Sequence, residues 1–226
     1  MIKKIDIAGI QLDNYTVREM IMKIDRCMSE RAFTTVEEIN MDTLHLAASD
    51  DEVKQAIEVL DYTIIAETGI LSAASADTLQ RRHEIEDHDF FYELFKRLER
   101  NHKSIFIIGD LESVIDEAVD FLRELFDRIK IVGSETLENS ESVSEAVVNE
   151  INIASPDVVL SLLPSPQQEV FLLKNKDKLS TNLWYGIGNN KFMDKKPGIF
   201  GRIKKMLDVK RLARIINNYE SQEEEK

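Results

Sequence analysis

The chain has 226 residues, of which 43% are hydrophobic and 31% are charged, a mix that is typical of a globular protein and excludes wholesale disorder. Its formal net charge of −13 disfavours nucleic-acid binding, which normally needs a basic face. The single cysteine, Cys27, excludes an intrachain disulfide framework and a cysteine-based zinc site. No apolar run approaches the roughly 20 residues of a membrane span, and no apolar signal segment opens the chain, so we expect a cytoplasmic protein.

Seven short apolar runs predict β-strands along the chain. They are Ile5–Ala8, Phe33–Val36, Tyr62–Ile65, Ser104–Ile108, Ile129–Val132, Val158–Leu163 and Leu183–Ile187. Several of these runs are continuously apolar rather than alternating, which is typical of strands in a parallel sheet that is covered on both faces.

Helical patterns lie between these strands. The first begins at Thr16, whose spacing to Glu19 predicts a capping box before apolar residues at helical intervals. The other predicted helices are Leu44–Ala48, Val53–Leu60, Phe90–Leu98, Val114–Phe126, Val143–Ile151 and Gln168–Asn175. Strands that alternate with helices through short links predict an α/β fold, with a Rossmann-like, largely parallel sheet and helices on both faces.

The carboxyl-terminal part of the chain differs from the rest in charge. Residues 195–214 contain eight basic residues and one acid, a net charge of +7 that leaves −20 for the remainder. We predict an α/β domain over residues 1–196, a basic helical appendage over 197–219 and an acidic tail over 220–226. The predicted helix either packs on the core with a solvated basic face, or meets phosphates or anionic lipid headgroups.

Three glycines at predicted strand ends are candidate ligand-binding residues, because ligands of parallel sheets bind at the carboxyl ends of the strands. Gly109 ends the strand that begins at Ser104, while Gly186 and Gly188 end the last one. Gly186 and Gly188 either make a turn or let backbone amides approach a phosphate. These two interpretations stay open at this point.

The segment after Leu163 is a second candidate. In one interpretation, Ser165 caps a helix that Pro166 opens in its first turn. In the other, the two prolines stiffen the backbone so that Gln168 and Glu169 point from the strand end towards a polar ligand.

Several catalytic and cofactor motifs are absent from the sequence. It contains neither the dinucleotide fingerprint G-x-G-x-x-G, nor a P-loop, nor the nucleophile motif G-x-S-x-G. The four histidines do not pair at metal-ligand spacing. We therefore expect no cofactor, no metal ion and no nucleophilic catalysis.

Motifs spread over nearly the whole chain resemble those of one enzyme family. The most specific runs from Asp157 through an apolar strand into the Gln168-Glu169 pair, and another has the pattern G-x-x-x-D-x-x-T-x-x-E. The matching residues are Gly9, Asp13, Thr16, Glu19, Asn40, Asp89, Gly109, Gly133, Asp157, Ser165, Gln168, Glu169, Gly186, Gly188, Arg202 and Arg214. Together they resemble the WecG/TagA/CpsF glycosyltransferase family.

The resemblance implies a function at a membrane. Family members transfer N-acetylmannosamine or a related sugar from a UDP donor to an undecaprenyl-diphosphate-linked sugar, in the synthesis of teichoic acids and other surface polysaccharides. The substrate-binding residues that it implies are Asn40, Asp89, Gly109, Ser165, Gln168, Glu169, Gly186, Gly188, Arg202 and Arg214. It also implies that the last two meet the lipid diphosphate, that the basic helix brings the protein to an anionic membrane surface, and that the chain self-associates.

The sequence departs from the family pattern at three positions near the implied site. The aspartate proposed as the family's base falls on Ala66, so Glu67 is the nearest carboxylate for deprotonating an acceptor hydroxyl. Glu38 stands in place of a threonine, and Glu84 stands in place of an arginine, which reverses a charge where a diphosphate binds. These acids are either solvated surface side chains or signs of a different ligand.

Three functional hypotheses follow. The first is an active glycosyltransferase in which Glu67 is the catalytic base. The second is a catalytically inactive relative that binds a partner protein or a ligand, and Ala66 favours it. The third, a nucleotide- or cofactor-binding module of another type, rests on the predicted fold alone.

Overall fold

The computed structural model describes residues 3–137 and 141–188. Its strands are β1 (Lys4–Ile7), β2 (Ile10–Asp13), β3 (Thr34–Ile39), β4 (Tyr62–Ile65), β5 (Ser104–Gly109), β6 (Lys130–Thr136), β7 (Val158–Ser161) and β8 (Leu183–Gly186). Its α-helices are α1 (Val17–Glu30), α2 (Met41–Ala47), α3 (Asp51–Glu58), α4 (Thr68–Ala73), α5 (Leu79–Glu86), α6 (Asp89–Arg100), α7 (Glu112–Leu125), α8 (Glu141–Ala154) and α9 (Gln167–Asn175).

Six strands form one sheet in the order β4-β3-β8-β7-β5-β6, and every neighbouring pair is parallel. The predicted α/β fold with a parallel sheet is therefore confirmed. The carboxyl ends of β4, β3, β8 and β7 lie side by side, although they come from distant parts of the chain. We call these four ends, with the segments that follow them, the site edge, because ligands of open parallel sheets bind at such an edge.

The central strands bury both of their faces, since successive side chains of a strand point to opposite sides. In β5, Ile105 and Ile107 pack with residues of α1, α6 and α7, whereas Phe106 and Ile108 pack with residues of α8 and α9. All four side chains are at most 3% exposed. This two-sided burial explains the continuous apolar runs of the sequence and confirms helices on both faces.

A hairpin of β1 and β2 forms a separate antiparallel pair beside the main sheet. Ala8 and Gly9 make its two-residue turn with φ of 52° and 80°, the left-handed conformation that short hairpins need. The Asp13 N–H donates to Thr63 Oγ1 at 2.7 Å, and the Thr63 N–H donates to the Asp13 carboxylate at 3.0 Å. The hairpin is thus attached to β4, and its apolar side chains pack with α2 to α5.

Several local predictions are confirmed and some are wrong. The capping box is present, since Thr16 Oγ1 accepts from the Glu19 N–H while the Glu19 carboxylate accepts from the Thr16 N–H. The predicted strand Ile5–Ala8 is wrong at its end, because Ala8 lies in the hairpin turn. No sequence pattern predicts β2, α4 or α5, and the predicted strand Val158–Leu163 extends beyond Ser161, where β7 ends.

The predicted domain boundaries after residues 196 and 219 lie outside the described residues, together with the basic appendage and the acidic tail. That division of the chain stays a prediction. Among the residues that the structure describes, no helix has both the length and the apolar character needed to cross a membrane.

Candidate functional site

Asn40 lies at the site edge, where β3 ends and α2 begins. Its side-chain oxygen caps α2 by accepting a hydrogen bond of 2.8 Å from the Thr43 N–H. The Thr43 hydroxyl lies 3.0 Å from the same oxygen and 3.0 Å from the Ser165 hydroxyl. Thr43 therefore joins the end of β3 to the segment that follows β7.

Glu67 lies on the neighbouring connection, between β4 and α4. It occupies the N-cap position of α4 without capping that helix. Instead, one carboxylate oxygen lies 3.5 Å from the Met41 nitrogen, a long hydrogen bond to the first residue of α2. Glu67 and Asn40 are thereby brought to adjacent points of the site edge.

Gln168 packs against the glycines that end β8. A Cβ on Gly186 would lie 2.6 Å from the carboxamide carbon of Gln168, so only glycine leaves room for that side chain. Gly188 has φ of +61°, and its N–H donates to Gln168 Oε1 at 3.1 Å. These contacts support the turn interpretation of the two glycines, with Gln168 as the side chain that holds the turn.

Ser165 has a different role from the predicted cap. Pro166 occupies the N-cap position of α9, and no side chain caps that helix. The Ser165 hydroxyl donates instead to Glu169 Oε1 at 2.5 Å. The N-cap interpretation of Ser165 is therefore wrong, and the serine links Thr43 to a carboxylate one turn into α9.

Gln168 and Glu169 are each only 1% exposed. The interpretation in which both side chains point from the strand end into an open ligand site is therefore not supported by their burial. Their polar groups instead bond to Gly188 and Ser165, which lie at the site edge. We infer that any effect on a ligand passes through these neighbours.

A pocket of about 320 Å³, counted out to its open mouth, lies beside this cluster. Glu38 and Ala66 line it from the strand ends, and Arg81 and Glu84 line it from α5. The remaining lining residues are Val17, Ile64, Ile65, Ile85, His88, Phe90 and Phe91. The position that the family pattern assigns to its base is therefore at the pocket wall, as an alanine.

Arg81 is a buried cation at this pocket, and no sequence pattern predicts its role. Its Nη1 donates to Glu84 at 2.6 Å and its Nε donates to the Asn14 side-chain oxygen at 3.1 Å. The two charged side chains are 5% and 11% exposed. The acid introduced at Glu84 is thus paired with a neighbouring cation, and the interpretation as a solvated surface acid is wrong for this residue.

Glu38 is half-buried at the same pocket. Its carboxylate accepts a hydrogen bond from the Tyr185 hydroxyl. Burial, with the Glu38 charge in addition, raises the pKa of Tyr185 well above its usual value, so the tyrosine remains a neutral donor. Like Glu84, Glu38 is not a solvated surface acid.

Glu37, the preceding residue, points to the opposite face of β3 and is fully buried. The Trp184 indole N–H donates to its Oε1 at 2.9 Å. Burial raises the pKa of Glu37 to about 8, and the nearby Glu169 carboxylate adds to the rise. Burial also raises the pKa of Glu169, against the opposing effect of the Ser165 hydroxyl.

Gly109 lies apart from the cluster around Asn40, whereas Asp89 is flanked in the sequence by His88 and Phe90, which line the pocket. Asp89 is the first residue of α6, and burial together with the charges of Asp87 and Glu84 raises its pKa. Gly109 ends β5, which β7 and β8 separate from β3. A Cβ on Gly109 would lie 2.9 Å from the Ile115 side chain, so packing against α7 accounts for this glycine.

Arg202 and Arg214, the predicted contacts to a lipid diphosphate, lie outside the described residues. Within the described parts of the chain, no group of three or more histidine, cysteine, aspartate or glutamate side chains could hold a metal ion.

Comparison with known proteins decides the family. The model of the glycosyl transferase WecG/TagA/CpsF family matches residues 5–190, most of the chain. The chain belongs to this family. The resemblance seen in the sequence motifs is therefore confirmed.

Curated relatives of this WecG/TagA/CpsF chain come from Staphylococcus aureus. Proteins named N-acetylglucosaminyldiphosphoundecaprenol N-acetyl-beta-D-mannosaminyltransferase from strains NCTC 8325, COL and MRSA252 are each 21% identical to it over 225 residues. These matches cover 94% of this chain and 88% of each relative. The similarity thus extends over nearly the full length of both proteins.

Three residues that organise the site are not predicted from the sequence: Thr43, Arg81 and Glu37. Thr43 and Arg81 give no signal in the sequence, because their partners come from other elements of the fold. Glu37 does give one, since two consecutive acids follow the apolar residues of β3. A charged side chain that faces a buried sheet layer is rare unless it is paired.

Proposed function

We propose that the protein is a glycosyltransferase that transfers an N-acetylhexosaminyl group, N-acetylmannosaminyl or similar, from a UDP-sugar to a lipid-diphosphate-linked acceptor in cell-surface polysaccharide synthesis. Membership of the WecG/TagA/CpsF family supports transfer of a sugar, and the names of the relatives supply the sugar and the acceptor class. The observation that carries the proposal is the convergence of Asn40, Glu67 and the Ser165 segment at the site edge.

In this proposal Glu67 is the catalytic base. Its carboxylate takes the proton of the acceptor hydroxyl while the acceptor oxygen forms a bond to the anomeric carbon of the donor. The bond from that carbon to the diphosphate breaks in the same displacement, and UDP leaves with the electron pair.

The remaining predicted residues bind substrate in this scheme. Asn40 contacts the donor, and Ser165, Gln168 and Glu169 hold the segments around it. Gly186 and Gly188 shape the turn beside Gln168 at the site edge, and the Gly188 N–H is held by the Gln168 side chain. Arg202 and Arg214 meet the lipid diphosphate, while Asp89 and Gly109 support the site from α6 and β5.

The proposed site of action is the inner face of the membrane. The basic residues of 195–214 attract anionic headgroups, which brings a chain with an acidic body to a lipid-linked acceptor. A homo-oligomer and the absence of nucleic-acid binding remain further predictions.

A catalytically inactive relative is the second candidate, and one observation favours it. Ala66, at the family's base position, lines the pocket, whereas Glu67 does not. A protein with this arrangement binds a ligand or a partner transferase without turnover.

Calorimetric titration with UDP and with UDP-N-acetylmannosamine separates these candidates at the first step. The transferase predicts micromolar binding of at least one of the two nucleotides, followed by sugar transfer to a lipid-linked acceptor. Absence of binding at millimolar nucleotide would contradict the transferase. Nucleotide binding with no transfer on any donor would support the inactive relative.

Substitution of Glu67 tests the assignment of the base. We expect Glu67→Gln to lower kcat by at least about a hundredfold, because general-base catalysis contributes about 10²–10⁴ in rate, and to leave nucleotide affinity unchanged. Glu58→Gln, which removes an exposed acid from α3, is the matched control and keeps full activity. A Glu67→Gln enzyme as active as the control would remove Glu67 from the mechanism.

A further inference from the structure

Behind the site edge, two acids are buried where strand β3 and helix α9 face each other. Glu37 of β3 has no exposed surface and Glu169 of α9 has 1%. Both belong to the layer between the sheet and α9, where Trp184 and Phe171 also pack. Among the described residues, neither carboxyl forms an ion pair with a lysine, arginine or histidine. Two ionised carboxylates without a cation would be very costly in such a place.

Glu37 uses only one of its two oxygens as an acceptor. Its Oε1 accepts from the Trp184 indole N–H at 2.9 Å, and the Gln168 amide is a second donor to the Glu37 carboxyl. Its Oε2 is buried and has no hydrogen-bond partner. This division is what a protonated acid requires, since its carbonyl oxygen accepts and its hydroxyl needs an acceptor.

Glu169 shows the complementary pattern. Its Oε1 accepts from the Ser165 hydroxyl at 2.5 Å, a short length that is typical of a hydroxyl donating to an ionised oxygen. Its Oε2 is buried without a partner, like that of Glu37. Each acid therefore has one buried oxygen without a hydrogen-bond partner. A single proton between these two oxygens gives each of them a partner.

We propose that Glu37 and Glu169 share one proton at neutral pH, carried by Glu37 as a neutral acid that donates to the Glu169 carboxylate. We call these two residues the buried acid pair. Glu169 is the ionised member because it also accepts from Ser165, whereas Glu37 is buried more completely. The raised pKa of Glu37, caused by burial and then by the Glu169 charge, is consistent with this assignment.

The buried acid pair sets the direction of a hydrogen-bond chain to the site edge. When Glu169 is ionised, Ser165 gives its only hydroxyl proton to Glu169, so the Ser165 oxygen can only accept in its 3.0 Å contact with Thr43. The Thr43 hydroxyl has one proton and also lies 3.0 Å from the Asn40 side-chain oxygen, so Ser165 then competes with Asn40 for that proton. The Asn40 side-chain oxygen is then held by the Thr43 N–H at 2.8 Å. Glu37 is thus a positioning residue for Asn40, a role that rests on the proposed function.

In the described part of the chain, Glu169 is the only charged group that acts on Glu37. From α9 it meets Glu169 and Gln168, and from β8 it meets Trp184. Thr63 of β4 is its register partner on the other side. Among the described residues, the number of protons held by the buried acid pair is therefore determined by the interaction between its two members.

Infrared spectroscopy of the full chain tests the proposal without any substrate. At pH 7 we expect the carbonyl-stretch band of a protonated carboxylic acid in the wild type, and we expect Glu37→Gln to remove it. The glutamine keeps an acceptor for Trp184 and a donor for Glu169, so this variant folds normally. Glu58→Gln, at an exposed site on α3, keeps the band.

Three outcomes would overturn the proposal. They are a wild type without the band at pH 7, a band that persists in Glu37→Gln, and a Glu37→Gln chain that does not fold. Each of these results is independent of whether the protein transfers sugar, so a failure of the proposed function leaves the test intact.

Measurements of enzyme activity test the positioning role of Glu37. We expect Glu37→Gln to keep kcat within about twofold at pH 7, because both hydrogen bonds are replaced by equivalents. Above pH 8 the wild type loses activity as its shared proton leaves, whereas the ratio of variant to wild-type kcat rises, since an amide does not titrate. An unchanged ratio between pH 7 and pH 9 would contradict the positioning role.

Discussion

Two consecutive glutamates of β3 have different environments because neighbouring side chains of a strand point to opposite faces. Glu37 is fully buried beneath α9 and bonds to Trp184. Glu38 is half-buried at the pocket and bonds to Tyr185. One strand therefore supplies a structural acid to one layer and a pocket acid to the other, and substitutions at the two positions affect different properties.

The buried acid pair predicts a pH dependence of stability. The pKa of Glu37 rises from 4.5 to about 8 on folding, chiefly through burial. Between these values the native state keeps a proton that the unfolded chain has released. The free energy of unfolding therefore falls as pH rises from about 4.5 to about 8, by up to about 1.4 kcal/mol per pH unit for one proton.

Urea denaturation of wild type and Glu37→Gln at a series of pH values measures this slope. We expect the difference in midpoint between the two proteins to change steadily from pH 5 to pH 8 and to become constant above pH 8. The comparison cancels other titrating groups, which both proteins share. A difference that does not change with pH would show that Glu37 titrates normally.

At the scale of elements, α5 joins the hairpin, α1 and the pocket. The Glu84 carboxylate accepts from the Val17 N–H at 3.2 Å, which satisfies a free donor in the first turn of α1. Arg81 bonds to the same carboxylate and to Asn14, which follows β2. The Arg81–Glu84 pair thus fixes α5 relative to two elements that precede it by more than 60 residues.

Removal of one member of this pair leaves the other buried and unpaired. We expect Arg81→Leu and Glu84→Leu each to lower the free energy of unfolding by about 3–5 kcal/mol. The double variant loses less than the sum of the two, because it leaves no unpaired charge, and the coupling energy exceeds about 1 kcal/mol. Urea denaturation of the three variants and the wild type measures all four values.

Arg82, which lies on the same helix and pairs with Asp77, provides a more exposed control. The Arg82 side chain is 49% exposed, so Arg82→Leu changes the free energy of unfolding by no more than about 0.5 kcal/mol. Additive losses in the Arg81 and Glu84 variants would mean that the two side chains act independently.

Elements were predictable from sequence where their signal is local. The short, mostly apolar run after Asp61 predicts the strand Tyr62–Ile65 with its true bounds. The helix α5 was not, because its residues are mostly polar, Leu79 is 75% exposed, and the burial of Arg81 depends on Asn14. The position of α5 is determined by contacts with residues that are distant in the sequence.

Parts of the site were also predictable from the sequence, and parts were not. Asn40 and Glu67 follow strands, and parallel strands bring their carboxyl ends to one edge, so their proximity follows from the fold class. The contact between Thr43 and Ser165 does not, because it joins residues 122 positions apart in sequence. The polar network behind the edge therefore became visible only with the structure.

At the scale of the whole molecule, charge is divided between two parts of the chain. Residues 195–214 carry a net charge of +7, while the remainder carries −20. An anionic membrane attracts the first and repels the second, and attraction falls off within the Debye length of about 8 Å at physiological salt. We therefore expect the proposed membrane binding to depend on the basic stretch and to weaken as salt is added.

Sedimentation of the full chain with vesicles tests this dependence. We expect binding to vesicles with anionic lipid and none to neutral vesicles. Each basic residue near the surface contributes about 1 kcal/mol, so replacement of Lys204, Lys205, Lys210 and Arg211 by glutamine weakens binding by up to about a thousandfold. The control replaces Lys96 and Lys174, exposed lysines of the body, and keeps the wild-type affinity. Equal binding to neutral vesicles, or equal loss in the control, would show that the basic stretch does not direct the protein to anionic lipid.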